Sequence, residues 1–157
     1  MQSQNNKAFG QLSSAQNQRP HTLKPVKIIL DTQEDTFGND HTVTFNGGDV
    51  SVKQSGMYLI IAGPQIGKQS DDKPRWIDFW LRVNDVDVPN SNVRAIVKGA
   101  YEKDVVITQT VTYLKVGDTL NIMMSVETGE EGLGIEAIQP EGEPLVPSII
   151  LTILQLQ

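Results

Sequence analysis

Gly63-Pro64-Gln65-Ile66-Gly67-Lys68 places two glycines just ahead of a lysine, the means by which loops cradle phosphate. Glycine lets backbone N–H groups approach the anion and lysine neutralises it. The spacing is one residue short, Gln69 stands where a hydroxyl would hold magnesium, and no helical pattern follows, so an ordinary loop is the better reading. Asp85 and Asp87 stand at i and i+2, as in a calcium loop, but Val88-Pro89 occupies positions where further oxygen ligands belong, which favours a hairpin edge. The acidic run Glu127, Glu130, Glu131, Glu136, Glu141 and Glu143 offers oxygens that calcium would accept, at a loop or on a three-fold axis. Glu130 and Glu131, with Asp85 and Asp87, are the calcium candidates, set against plain solvated loop charge. His21 and His41, the only two histidines, have no neighbours at metal-ligand spacing and read as polar surface residues. A carboxylate pair for glycoside hydrolysis needs a defined separation, and most acids here fall in turns. Trp76 and Trp80 could stack on sugar rings, or be covered by another sheet or subunit. No catalytic constellation emerges, and the chain is expected not to be an enzyme.

These residues are positioned by strands. Arg75 to Asn84 alternates so that Ile77, Phe79, Leu81 and Val83 share one face while Trp76, Asp78, Trp80 and Arg82 share the other. His41–Phe45 and Asp49–Lys53 alternate around Asn46-Gly47-Gly48, a tight hairpin. Met57 to Ala62 is apolar on both faces and is expected to end at Gly63-Pro64. Further strands are expected over 7–13, 26–30, 85–88, 92–98, 104–114, 119–127 and 148–154. In the run 104–114, Val105, Ile107, Val111 and Tyr113 are read on one face, and Thr108, Thr110 and Thr112 on a solvated one. Residues 31–40 and 128–147 read as loops. No segment has a helical period, and turn signals recur every eight to twelve residues or so, the rhythm of an all-β sandwich or barrel.

Composition narrows the function. The 157 residues suffice for a single domain with its own core, and with no cysteine neither a disulfide nor a thiolate metal site is available. A net charge of −6 and a pI near 4.8 argue against nucleic acid as a partner. No apolar run reaches membrane-spanning length, and Met1 to Asn6 lacks the features of a Sec signal peptide. Synthesis in the cytoplasm, with assembly on a spore or virion surface, is the expected setting.

Taken in order, several landmarks resemble the C1q/TNF-like jelly-roll domains. They are the Ala8-Phe9 opening strand, Gly56-Met57-Tyr58 in place of Gly-x-Tyr, Trp80 to Asp85 in place of a strand ending in an Asn-Gly turn, Leu114-Lys115-Val116-Gly117-Asp118 in place of Leu-x-x-Gly-Asp, and the closing Pro147 to Leu151. The resemblance implies an all-β jelly-roll sandwich of about ten antiparallel strands, assembled as a compact homotrimer without catalysis, with glycan or protein ligands on exposed loops. Without a collagen-like stem the chain looks closer to bacterial and phage relatives than to animal ones. Some members bind calcium near the trimer axis, but no ligand set matches here. Residues 1–25 are expected to be a polar arm whose short strand joins the sandwich, and residues 26–157 the jelly roll.

The pattern of apolar residues leads to a compatible expectation. Tyr58, Ile60, Ile150, Thr152 and Leu154 are read opposite their strands' core-facing positions, and with Trp76 and Trp80 they are the trimer-interface candidates. At about 25 cal/mol per Å² of apolar surface, covering such a face in each subunit would favour a closed ring. The alternative is a carbohydrate-binding module working through exposed Trp or calcium-bound acidic loops.

Overall fold

In the computed structural model, which describes residues 6–34, 42–70 and 73–157, the chain folds as two antiparallel sheets packed face to face. The strands in chain order are β1 (Phe9–Ser14), β2 (Val26–Lys27), β3 (Thr32–Gln33), β4 (Val43–Asn46), β5 (Asp49–Val52), β6 (Gly56–Gly67) and β7 (Arg75–Val83). They continue as β8 (Val86–Asp87), β9 (Val93–Val97), β10 (Asp104–Val105), β11 (Thr108–Leu114), β12 (Leu120–Val126), β13 (Gly134–Ile135) and β14 (Ile149–Gln155). The first sheet runs β10-β6-β14-β1-β3, with β11 and β13 also pairing with β6; the second runs β4-β5-β12-β7-β8, with β2 on β12 and β9 on β7. No helix occurs among the described residues. The all-β jelly-roll sandwich expected from the sequence is the observed architecture.

The core lies where the inward halves of the alternating strands meet. Ile77, Phe79 and Leu81 from β7 and Leu120, Ile122, Met124 and Val126 from β12 face Leu12, Tyr58, Ile60, Ala62, Leu151 and Ile153 of the first sheet, all buried. The closing strand β14 is central, pairing with β1 on one side and β6 on the other, so its apolar backbone neighbours are both satisfied. The β4–β5 hairpin closes through Gly47 at φ +59°, and β7–β8 through Asn84 and Asp85, both at positive φ. His41 lies outside the described residues.

Several local expectations change. Gly63-Pro64 does not end β6, which continues to Gly67. Proline is tolerated there because the backbone around it is paired through other groups: the Pro64 carbonyl accepts from Val106 N–H, and Gln65 N–H donates to Ser148. The phosphate-loop lookalike is therefore extended strand, neither cradle nor loop. Residues 128–147 are only partly loop, since β13 pairs with β6 and Leu133, Ile135 and Glu136 are buried. The run 104–114 breaks into β10 and β11, and its faces are reversed. Thr108 is the buried one, its hydroxyl donating to Ser91 carbonyl at 2.5 Å, while Val111 and Tyr113 are about half exposed. Tyr58 and Ile60 are likewise inside rather than on an uncovered face. Both are fully buried, and the Tyr58 hydroxyl donates to the Gln54 carbonyl at 2.6 Å. A strand apolar on both faces carries no mark of which is inner; its partners' register sets the phase.

Candidate recognition surfaces

Register carries apolar side chains across the outer face of the first sheet in rows. Phe9 pairs with Leu154, Leu154 with Leu59, and Leu59 with Val111, so one line crosses β1, β14, β6 and β11. The next row is Gln11, Thr152, Ile61 and Gln109, and the one beyond it Ser13, Ile150 and Gly63. On the other side Met57 pairs with Tyr113. Gly63 leaves space that Ile107 fills: a Cβ there would lie 3.2 Å from Ile107 Cδ1. Phe9, Ile107, Val111, Tyr113, Ile150 and Leu154 are each 39–52% exposed in the single chain. These exposed apolar side chains are neighbours on one face of the sheet rather than scattered singly over the surface.

Ile150, Thr152 and Leu154 lie on this face, but the other interface candidates do not. Trp76 and Trp80 project from β7 on the opposite side of the sandwich, each engaged within its own sheet. The Arg94 guanidinium lies 4.1 Å over the Trp76 ring while donating to both Asp78 oxygens at 2.8 and 2.9 Å. One face of that indole is thus taken by a cation, which removes half of any stacking platform. Trp80 Nε1 donates to Asp87 at 2.8 Å, and Arg82 donates to the same oxygen at 2.9 Å.

The acidic candidates are also largely committed. Asp87 accepts from Arg82 and Trp80, which hold its carboxyl below the usual range. Arg75 forks onto Glu131 at 2.8 and 2.6 Å and reaches Glu127 at 3.0 Å, and this guanidinium lowers the Glu131 carboxyl from its ordinary value. Asp85 sits in the β7–β8 turn and Glu130 is exposed. Among the described residues, no cluster of three or more metal-ligating side chains forms.

A cluster that sequence reasoning missed lies at the end of β6. The Glu136 carboxylate, 4% exposed, accepts from Arg19 Nη2 at 3.3 Å and from Lys103 Nζ. Gly67 makes room for it, since a Cβ there would sit 2.7 Å from Glu136 Oε2. In the sequence Glu136 is one acid among several in a segment that reads as loop. The apolar alternation of Leu133 and Ile135 just before it was the available sign that the segment enters the core. Arg19 and Lys103 gave no such sign, because their shared partner is distant in sequence from both.

No protein-family model matches the chain, and no curated protein matches it in sequence. In three dimensions it is similar to murine APRIL. A crystal structure of that protein at pH 5.0 aligns over 96% of this chain and 100% of its own, with a TM-score of 0.57 at 12% identity. Those at pH 8.5 and pH 8.0 align over the same shares at the same identity, with TM-scores of 0.57 and 0.55. The fold is a TNF-like jelly roll. At this identity the likeness concerns the backbone path and sheet order, and no side-chain role passes with it. Within the TNF-like sandwich, the apolar rows occupy one sheet and the tryptophans the other.

Proposed function

We propose that the chain is a non-enzymatic structural or recognition protein that assembles as a compact homotrimer through the outer face of the sheet containing β1, β14, β6 and β11. The row Phe9, Leu154, Leu59 and Val111 carries this reading, because it lines up apolar groups in register across four strands, three of them exposed and Leu59 half-buried between them. A second copy is the simplest cover for such a face, and closed rotation symmetry satisfies every subunit equally. The C1q/TNF-like landmarks of the sequence imply the same assembly, and the jelly-roll backbone shared with murine APRIL is compatible with it. Ile150, Thr152 and Leu154 then contribute to subunit contacts. Residues 1–25 act as the arm that adds β1 to the sheet, and residues 26–157 as the body. Loops at the ends of the sandwich remain for glycan or protein ligands, on a bacterial spore or phage surface as the sequence resemblance implies.

Light scattering tests the assembly directly: the expected mass is three times 17.3 kDa. Val111→Glu on the exposed row should reduce it to the single-chain value with the β-type circular dichroism retained. A wild-type monomer would overturn the proposal.

A further inference from the structure

The strands that end the two sheets are mostly blunted. β3, β8 and β10 are two residues long, and β9 carries the exposed Arg94. On the β4 side the sandwich is sealed across the sheets: Gln33 Nε2 donates to the Val43 carbonyl at 2.8 Å, and Phe9 N–H donates to the Thr42 hydroxyl at 3.0 Å. β11 is the exception. It runs for seven residues, Thr-Gln-Thr-Val-Thr-Tyr-Leu, without a charge, a proline or a glycine, and pairs with β6 alone. An edge of this length and composition is the kind that proteins ordinarily protect from pairing with another chain.

Register fixes which backbone groups that edge offers. Val106 N–H donates to the Pro64 carbonyl, and in the same antiparallel register Thr108, Thr110, Thr112 and Leu114 stand opposite Ala62, Ile60, Tyr58 and Gly56. Hydrogen-bonded positions alternate along an antiparallel ladder, so these residues turn N–H and C=O toward β6. The other side of β6 agrees, since Gln65 N–H and the Met57 carbonyl bond toward the chain on the β14 side. Gln109, Val111 and Tyr113 therefore direct their N–H and C=O away from the sheet, and among the described residues these groups meet no partner. Val111 is the middle residue of β11. A second copy laid antiparallel about it brings Val111 against Val111 and Gln109 against Tyr113, so that every outward N–H meets an outward C=O on both strands. The row Phe9, Leu154, Leu59 and Val111 then runs on, end to end, into the same row of the second copy. Such a contact is complementary to itself about a two-fold axis.

We propose that β11 is a docking edge for a second copy of this chain, joined strand to strand in antiparallel register about Val111. Its hydrogen bonds lie in the plane of the sheet, whereas the trimer contacts lie across the sheet's face, so the inference does not rest on the trimer; where both form, the edges link trimers. One strand pair buries little area, so the association is weak and shows at high concentration. Cross-linking reads the register. The chain has no cysteine, so Val111→Cys supplies a single thiol per copy, and the pairing sets the two Cα atoms about 5.5 Å apart, within disulfide reach. With dissolved oxygen as oxidant, Val111→Cys should give a two-chain species on a non-reducing gel. Gln109→Cys, whose thiols would stand about 13 Å apart, should not. By light scattering the wild-type mass should at least double between about 1 μM and about 1 mM. Gln109→Pro removes an outward N–H but no bond to β6, so it should abolish that rise and leave the dilute mass unchanged; the two cysteine variants decide if it folds poorly. A dilute monomer that doubles would refute the trimer and keep the edge pairing. A constant mass with no Val111→Cys cross-link, or equal cross-linking through positions 109 and 111, would overturn the edge pairing.

Discussion

Ser91 is a small buried residue with three hydrogen bonds to keep. Its hydroxyl accepts from Leu81 N–H at 3.0 Å and donates to the Val88 carbonyl at 2.8 Å, while its own carbonyl accepts from Thr108. These bonds tie β7, the β8–β9 connection and β11 together at a point where water has no access. Ser91→Ala should cost about 1–3 kcal/mol of unfolding free energy, because it strands the Leu81 N–H. Urea titration would measure it, and a change under about half a kcal/mol would mean that the site relaxes. Arg75 and Glu131 set a pH dependence. The Glu131 carboxyl is depressed in the folded chain, chiefly by its hydrogen bonds from Arg75, so the stability it lends is present above the ordinary glutamate range and is lost as pH falls through the depressed value. Asp87 and Asp118 shift in the same direction, from Arg82 and from the Lys115 backbone N–H respectively. Thermal melts should therefore weaken on the acid side, and Glu131→Gln should make that limb shallower; an unchanged slope would exclude this pair as a contributor.

At the scale of elements, β6 is the strand on which the first sheet is built, since β10, β11, β13 and β14 all pair with it. Its start is crowded by the end of the chain: Met57 N–H donates to the Gln157 carbonyl, and a Cβ on Gly56 would lie 2.0 Å from that same oxygen. Gly56→Ala should lift the terminal residues off β6 and lower stability by about 1–3 kcal/mol, read as a shift in urea midpoint with the slope retained. Strand existence was legible from alternation in β7 and β12 and from Asn-Gly and Asn-Asp turn chemistry. What alternation left open was the inner face of β6 and β11. β6 is apolar on both sides, and threonine on β11 suits a buried β surface with a carbonyl to bond as well as it suits a wet one. The same ambiguity explains the misplacement of Tyr58 and Ile60.

For the whole molecule, the apolar outer rows link stability to concentration. If subunits cover them, the melting temperature should rise with protein concentration, and Leu154→Glu should abolish that dependence along with the higher mass. A wild-type melting temperature independent of concentration over a hundredfold range or so would speak against association. The tryptophan face is a separate surface, so Arg94→Ala should alter indole emission from Trp76 without changing the mass. A mass change in that variant would place the contacts on the wrong sheet.

Period-two alternation, turn residues and the absence of a helical period were enough to determine an all-β sandwich or barrel, because those signals are local and depend only on neighbouring residues. The order of landmarks along the chain was enough to resemble the jelly roll that the structure shows. Tertiary structure alone decided which side of β6 and of β11 faces inward, that Trp76 and Trp80 stand on the sheet opposite Ile150 and Leu154, and that Arg19, Lys103 and Glu136 meet. Those outcomes follow from the register between strands and from contacts between distant residues, as between Arg19 and Glu136, 117 residues apart. A pairing made at that distance leaves no periodic trace in either segment, so it becomes visible only once the sheets are assembled.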